Sequence, residues 1–425
     1  MAGALFISFF IFVIIGIPVA FSLGLGSLIS IIIGDTMPLM IIPQRLATGT
    51  DSFILLCIPF FVLAGELMNT GGIAKRLFRF CSVLVGHIRG GLGHVNVLIS
   101  MLFAGITGAA AADSSAIGSM LIPAMKDEGY DPEFSSAITA SSSTIGVIIP
   151  PSIPMVLYGA CTGVSVTTLF VAGLIPGILV GVAQMIVCYV ISVKRGYPKN
   201  PRATFKEILV ATKQALLALG MPLIILGGIL LGIFTPTEAG AIAVLYALII
   251  SLFVYKSIKI RDLGKILLNA AESTATVMLI VSAASLYSWF ITYTNIPVKL
   301  GNFLEMLHMG KTGIFLFIVL IYLLAGCLMD MGANIIMLTP IFYPIALAAG
   351  INPVQFGLVT IVVLSIGLVT PPVCVCTFIC AKIANVSVEK SVKASIPFLL
   401  SMVAVALMLI FIPQLTTALP AALGK

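Results

Sequence analysis

Two pairs of adjacent prolines lie inside apolar sequence, where a helix would otherwise continue. Pro150 and Pro151 follow one apolar stretch, and Pro371 and Pro372 follow another. A proline inside a helix removes a backbone donor and leaves carbonyl groups without partners. In membrane proteins such carbonyls can bind a cation, and the N-terminus of the half-helix that follows can bind an anion. The repeated pairs therefore favour ion-binding helix breaks over simple kinks.

Carboxylates inside apolar sequence suggest a second contribution to the same chemistry. Asp113 follows the small-residue run 105–112, and Asp330 lies in a comparable polar interruption further along the chain, close to Asn334. Ionisable groups within a membrane are costly to bury and are functional candidates by default. Their oxygens, together with free carbonyls, suit a small alkali cation. A packing seam explains the alanines of the run, but it does not explain the two acids.

These features recur at a constant spacing of 221 residues. Residues 101–160 align with residues 322–381 without a gap, pairing Gly105 with Gly326 and Gly129 with Gly350. Asn334 is then the counterpart of Asp113. Counting three spans between the two halves of the repeat places them in opposite orientations across the membrane, which predicts an inverted repeat.

The repeat predicts two cation sites and a set of substrate-binding side chains. Candidate cation ligands in the first half are Thr107, Gly108, Asp113, Gly146 and Val147, and those in the second half are Asp330, Asn334, Gly367 and Thr370. Substrate candidates are Ser142, Ser143, Thr144 and Ser152 around the first proline pair, and Ser285 and Ser288 in the second half. For Ser285 and Ser288, ordinary helix packing is an equally good explanation.

The composition requires a membrane environment. The chain is 60% hydrophobic and only 9% charged, whereas soluble proteins are about 25% charged. Its helix-length apolar runs differ from the ten-residue alternation of a barrel, so we expect an all-α polytopic membrane protein in the lipid bilayer. The net charge of +7 lies largely in loops, as basic cytoplasmic loops would produce, and no nucleic acid partner is implied.

The order of segments predicts how the breaks are positioned. Scaffold helices and arms are expected in 1–50, 164–271 and 385–425, and two transport-domain halves in 51–163 and 272–384. Each half would begin with a re-entrant hairpin, at 51–73 and 272–297. Two broken helices would follow, at 91–128 and 132–163 in the first half and at 312–349 and 353–384 in the second.

Several other chemistries have no support in the sequence. We find no nucleophile triad, phosphate loop or cofactor fingerprint, so no cofactor is expected and an enzyme is disfavoured. Cys374, Cys376 and Cys380 align with apolar or small residues of the first half, which favours packing over a transition-metal site. A channel would need a continuous polar pore. Without a nucleotide site, transport would depend on an ion gradient.

Five motifs together resemble the large membrane subunit of the tripartite ATP-independent periplasmic (TRAP) transporters, and the resemblance covers essentially the whole chain. They lie at 58–68, 90–93, 148–153, 232–240 and 369–373, and include Ile149-Pro150-Pro151-Ser152 and Thr235-Pro236-Thr237-Glu238. The chain departs from the family pattern in two places. Ala109 and Ala110 stand where serines are common, and Cys374 stands where glycine is usual, which leaves details of the cation shell open.

The resemblance implies a sodium-coupled importer of the bacterial cytoplasmic (inner) membrane, with Na⁺ as the coupling ion. It implies an elevator motion and the inverted-repeat fold of the ion-transporter superfamily, with two re-entrant hairpins and broken helices. It also implies two partners: a small four-helix membrane subunit and a periplasmic substrate-binding protein. The substrate would be an organic acid, with sialic acid preferred on overall likeness, and C4-dicarboxylates or sugar acids as alternatives. An unpartnered sodium/organic-anion carrier remains open.

Overall fold

The computed structural model describes residues 2–34, 38–306 and 308–424, and it is helical throughout this part. The helices of the first half are α1 (Ala2–Ile15), α2 (Val19–Gly34), α3 (Ile41–Thr48), α4 (Cys57–Thr70), α5 (Ile73–Val85), α6 (Gly91–Thr107), α7 (Ala110–Asp127), α8 (Pro132–Ser143), α9 (Ile153–Thr162) and α10 (Val166–Arg195). A tighter 3₁₀ turn precedes α4 and another follows α8.

The second half begins with two apolar helices and then repeats the order of the first. Its helices are α11 (Phe205–Leu230), α12 (Pro236–Ile249), α13 (Leu263–Tyr293), α14 (Ile296–Met306), α15 (Lys311–Leu328), α16 (Met331–Ala348), α17 (Pro353–Gly367), α18 (Val375–Ala384), α19 (Val388–Phe411) and α20 (Gln414–Ala422). Eight helices of the described part are long and apolar enough to cross a membrane. The all-α polytopic fold predicted from composition is therefore confirmed.

The first re-entrant hairpin is formed by α6 and α7, which run antiparallel. Near the start of α6 the Leu92 backbone N–H donates to the hydroxyl of Tyr130, just beyond the end of α7, at 3.3 Å. Asn96 likewise reaches Met125 across the two helices. The chain reverses at Gly108, whose φ of +62° glycine adopts without strain. The prediction that 91–128 is a broken spanning helix is therefore wrong.

The second hairpin is formed by α15 and α16, which enter from the opposite face. Tyr322 on α15 and Thr339 on α16 bring their hydroxyls within 3.2 Å, and the Asn334 amide donates to the Ala325 carbonyl at 3.1 Å. The chain therefore reverses near Met329, where the backbone is extended. The segment 312–349 is also a hairpin rather than the broken helix we predicted.

The sequence placed both hairpins in the wrong segments, although it predicted their number. The segment 51–73 is occupied mainly by one helix, α4, because Pro59 lies in its first turn, where a missing N–H costs nothing. The segment 272–297 lies largely in α13, which runs unbroken for 31 residues. No glycine or proline occurs between Gly264 and Pro297 to interrupt it. The scaffold segment predicted at 164–271 therefore ends inside this same helix.

The two remaining predicted breaks are confirmed at the proline pairs, where both Pro-Pro peptide bonds are cis. Helices α8 and α9 flank the first pair, and α17 and α18 flank the second. The α8 helix packs against α18, whereas α9 packs against α16 and α17. At one face Glu133 at the start of α8 pairs with Lys390, and at the other the Tyr158 hydroxyl donates to the Pro353 carbonyl at 2.8 Å. The broken helices are therefore antiparallel, which confirms the inverted repeat.

A glycine contact joins the second hairpin to the second broken helix. Gly367, the last residue of α17, lies against the backbone of Gly326 in α15, and a β-carbon built on Gly367 would overlap that carbonyl. Two backbones approach this closely only where neither residue has a side chain.

We predict that Gly367→Ala destabilises the protein by about 1–3 kcal/mol, because the added methyl group forces two packed backbones apart. The measurement is the thermal unfolding midpoint of the detergent-solubilised protein. Gly227→Ala in α11 is the matched control, since a β-carbon there meets nothing within 4 Å, and it should be neutral or slightly stabilising. Equal midpoints for the two variants would contradict the contact.

Candidate functional site

Both hairpin tips and both helix breaks line one central cavity of about 180 Å³. The first half contributes residues 108–111 of the hairpin tip and Val147, Ile153, Pro154 and Leu157 of the broken helix. The second half contributes Asp330, Met331, Gly332 and Ile336 of the hairpin and Leu368, Val375 and Cys376 of the broken helix. Val277 and Ile280 of α13 close one side. Four interruptions that are far apart in sequence therefore form one site.

The polarity of the helix ends gives this cavity its electrostatic character. Helices α7, α9, α16 and α18, which are 10 to 18 residues long, all begin at its wall. The N-terminus of a helix carries unpaired N–H groups and a partial positive charge. Helices α6 and α17 end beside it and contribute the opposite partial charge. Helix ends therefore place both positive and negative partial charges at the wall of the cavity.

Three of the predicted ligands in the first half come together behind the hairpin tip. The Thr107 hydroxyl donates to Asp113 Oδ1, and Asp113 is completely buried. Its second oxygen, Oδ2, has no hydrogen-bond partner in the described part of the chain. This oxygen faces Gly146, where a β-carbon would overlap it. Burying a carboxylate without a partner is costly, so the donor set fits a small bound cation.

The second half contains an orphan oxygen at the position related by the repeat. The buried Asn334 amide donates through Nδ2 to the carbonyls of Ala325 and Met329, at 3.1 and 3.0 Å. Its Oδ1 atom has no partner among the described residues. Asp330 lies at the cavity wall, exposed, and its Oδ2 accepts the Gly332 N–H at 2.8 Å. The inverted repeat thus places a free side-chain oxygen at each hairpin tip.

Two predicted ligands of the second half lie apart from this arrangement. Gly367 packs on Gly326, as described above, and the Thr370 hydroxyl donates to the Ile366 carbonyl at 2.8 Å without lining the cavity. The proline pairs also differ. Pro150 and Pro151 are buried, whereas Pro371 and Pro372 are exposed. Roles for Gly367 and Thr370 in cation binding stay predictions.

The serine and threonine side chains near the first break face away from the cavity. Ser142, Ser143 and Thr144 are completely buried, and their hydroxyls bond to neighbouring groups of the protein at 2.6 to 3.2 Å. Ser152 caps α9 by accepting the Met155 N–H at 3.3 Å. These contacts stabilise the break itself. Ser285 and Ser288 line a separate cavity of about 320 Å³.

Sequence reasoning missed the apolar part of the central cavity. Val277 and Ile280 lie in an uninterrupted helix, and nothing in the sequence distinguishes them from lipid-facing residues of the same type. Ala111 was included only as a member of the small-residue run 105–112 and was not predicted to line a cavity. Gly332 could have been predicted from the sequence. It lies two residues after Asp330, a residue type that often caps a helix N-terminus, and a glycine there lets a ligand approach the backbone closely.

Comparisons with known proteins assign the chain to a family. Residues 6–415 match the model described as "Tripartite ATP-independent periplasmic transporter, DctM component". A putative TRAP transporter large permease protein of Haemophilus influenzae is 40% identical, covering 95% of each chain. The sialic acid TRAP transporter large permease protein SiaM of Vibrio cholerae is 37% identical, again covering 95% of each chain. The C4-dicarboxylate TRAP transporter large permease protein DctM of Pseudomonas aeruginosa is 37% identical over 95% of this chain and 94% of its own.

A solved structure supports the fold independently. The Alcanivorax borkumensis YdaH transporter, described as having an unusual topology, superposes with a TM-score of 0.62 over 91% of this chain and 89% of its own. At 14% identity this likeness concerns the fold alone. The relatives are permeases and not enzymes, and the apolar helices fit a multi-pass protein of the bacterial inner membrane. The chain therefore belongs to the DctM family, the large permease component of TRAP transporters.

Proposed function

We propose that this permease imports an organic acid together with sodium ions. The observation that carries the proposal is the convergence of two hairpin tips and two helix breaks on one cavity. Helix N-termini there suit the carboxylate of the substrate, while the orphan oxygens of Asp113 and Asn334 suit cations. The anion site and the cation sites would be formed by the same two hairpins and two broken helices. Occupancy of one site would therefore affect the affinity of the other.

The charges around the cavity explain why cation and acid would bind together. Asp330 lines the cavity, and Asp113 is buried directly behind the first hairpin tip. A substrate carboxylate placed near these groups is repelled, and the repulsion grows as water is excluded and the local dielectric constant falls. Bound sodium compensates the negative charge. The coupling is reciprocal, because whatever sodium adds to acid affinity the acid must add to sodium affinity.

The names of the relatives support the choice of substrate, and membership of the DctM family supports the choice of partners. Sialic acid, for which the Vibrio relative is named, is the preferred substrate. C4-dicarboxylates, for which the Pseudomonas relative is named, and sugar acids are the alternatives. A periplasmic binding protein would deliver the substrate, and a small four-helix membrane subunit would complete the tripartite transporter.

We further propose that the site moves as one body, in an elevator motion. Its walls come from both hairpins and both broken helices, which pack on one another, so none of them can shift alone without opening the cavity. The first hairpin contacts α11 at Gly105, where a β-carbon would lie 3.0 Å from Cβ of Pro222. Helix α11 belongs to the predicted scaffold, and the division into scaffold and transport parts stays a prediction. The contact would be a sliding surface.

The first test is uptake of labelled sialic acid or succinate into proteoliposomes that contain this chain and its small subunit. We expect uptake only with an inward sodium gradient and with the binding protein outside, because the cavity needs cations to accept an anion. Success with succinate alone would correct the substrate. Uptake without the binding protein would indicate an unpartnered carrier, and uptake without sodium would refute the coupling.

We predict that Asp113→Asn and Asp330→Asn each raise the sodium concentration for half-maximal uptake by about tenfold or more, equivalent to about 1.4 kcal/mol. Each substitution removes a charge and keeps the side-chain shape, and asparagine still caps a helix at position 330. The measurement is uptake rate against sodium concentration. Asp127→Asn, which removes an exposed charge at the end of α7, is the matched control and should behave like the unaltered protein. Unchanged sodium dependence in both test variants would refute the assignment of Asp113 and Asp330 to cation binding.

We predict that a disulfide between Gly105→Cys and Pro222→Cys stops transport, because it ties the first hairpin to α11. The β-carbons would lie about 3.0 Å apart, a little closer than the ~3.5–4.5 Å of a disulfide, so the bond forms with slight helix separation. Uptake is measured after oxidation and again after reduction, in a background lacking the native cysteines. Each single-cysteine variant is the control. Full uptake by the oxidised double variant would exclude the sliding surface.

A further inference from the structure

A second cavity, of about 320 Å³, opens next to the central one. Its polar lining includes Arg45 and Gly49 of residues 41–49, which we call the α3 segment, Ser52 before α4, and Ser285, Ser288 and Trp289 of α13. We call it the Arg45 cavity. Its volume lies at the lower end of the range of small-molecule sites, which is roughly 300–1,000 Å³.

The Arg45 cavity continues the central cavity toward one face of the protein. Ile336 lines both cavities. On α13 the central cavity is lined by Val277 and Ile280, and the Arg45 cavity by Val281, Ser285 and Ser288. These positions follow the spacing of one helix face. A molecule leaving the central cavity along this face of α13 therefore meets Arg45 next.

Arg45 carries a positive charge that no acid in the described part of the chain neutralises. Its guanidinium carbon lies 5.1 Å from the centroid of the Trp289 ring, which holds the side chain by a cation–π contact. None of the ion pairs among the described residues includes Arg45 or the nearby Asp51. A guanidinium with free N–H groups is well shaped for two-point binding of a carboxylate.

Three hydroxyl groups add to this unmatched set of donors. Ser52, Ser285 and Ser288 line the same cavity, and the side-chain hydrogen bonds found among the described residues do not include their hydroxyls. The close approach of Gly49 to the Ser285 side chain fixes the α3 segment against α13. Arg45 is thereby held over the cavity with hydroxyl donors around it, and no carboxylate occurs among the described residues of its lining.

We propose that the Arg45 cavity is a second binding station for the carboxylate of the transported acid, between the central cavity and one face of the membrane. The inference rests on the proposed function for the identity of the ligand. The two stations differ in charge. The central cavity contains Asp330 and needs sodium to accept an anion, whereas the Arg45 cavity contains a cation and accepts the acid without sodium.

The chain contains its own reporter for this site, because Trp289 is its single tryptophan. Its ring lies beside the Arg45 guanidinium and stacks on Tyr293 at 5.6 Å. A carboxylate that pulls the guanidinium away from the ring changes the surroundings of the indole. Tryptophan fluorescence of the full chain in lipid nanodiscs therefore measures occupancy of the Arg45 cavity independently of transport.

The experiment titrates this sample with succinate and with N-acetylneuraminate in sodium-free buffer. We expect a saturable fluorescence change with at least one acid and none with succinamide, the neutral analogue of succinate. Arg45→Gln should weaken binding about tenfold or more, and Arg45→Lys should weaken it less, because the charge is kept. Arg79→Gln is the matched control, since Arg79 is exposed and bonds to Gln214 instead.

Three results would overturn the inference: an equal response to succinamide, a response that requires sodium, or unchanged binding in Arg45→Gln. Thermal unfolding of each variant verifies that it is folded, and the folded Arg45→Lys variant keeps the test decisive if Arg45→Gln fails to fold. The outcome is separate from that of the proposed function. Sodium-driven uptake with no sodium-free signal at Trp289 would remove only the second station, and the signal without sodium-driven uptake would remove only the coupling.

Discussion

Backbone groups without partners are the constraint on which this structure depends. Within a bilayer no water satisfies the carbonyl and N–H groups that a helix break exposes. This chain contains two hairpin reversals and two proline breaks in apolar sequence, and all four line the same cavity. By meeting there, the breaks expose their polar groups to the cavity and to one another instead of to lipid. The convergence of the four breaks therefore lowers the cost of unpaired backbone groups in the membrane. It also supplies the polar groups that the proposed binding site needs.

The inverted repeat makes the two sides of the cavity similar without making them equal. Asp113 and Asn334 occupy related positions, and in the described part of the chain each keeps one side-chain oxygen without a hydrogen-bond partner. Asp113, however, is charged when ionised, whereas Asn334 is neutral, and the acid of the second half is displaced to Asp330 at the cavity wall. One acid is buried and one is open to the cavity, so the two cations would bind in different surroundings.

Charge also divides the path that a substrate would follow. The central cavity combines positive helix ends with carboxylates, and the adjoining Arg45 cavity combines an arginine with hydroxyl groups. If both proposals hold, an anion would meet one site that binds it directly and one site that binds it only together with cations. Because both cavities share the same face of α13, this single unbroken helix forms a common wall along the path.

The apolar composition, the duplicated proline pairs and the repeat of 221 residues determined the fold class, the inverted symmetry and the main acids, since each reflects a local cost of placing polar groups in lipid. Only the tertiary structure decided which interruptions reverse the chain. A small-residue break such as the one at Gly108 has the same sequence signature in a kinked helix and in a hairpin, and the difference lies in whether α6 packs against α7. The apolar wall at Val277 and the cavity around Arg45 likewise arise from packing between distant segments, which no local pattern encodes.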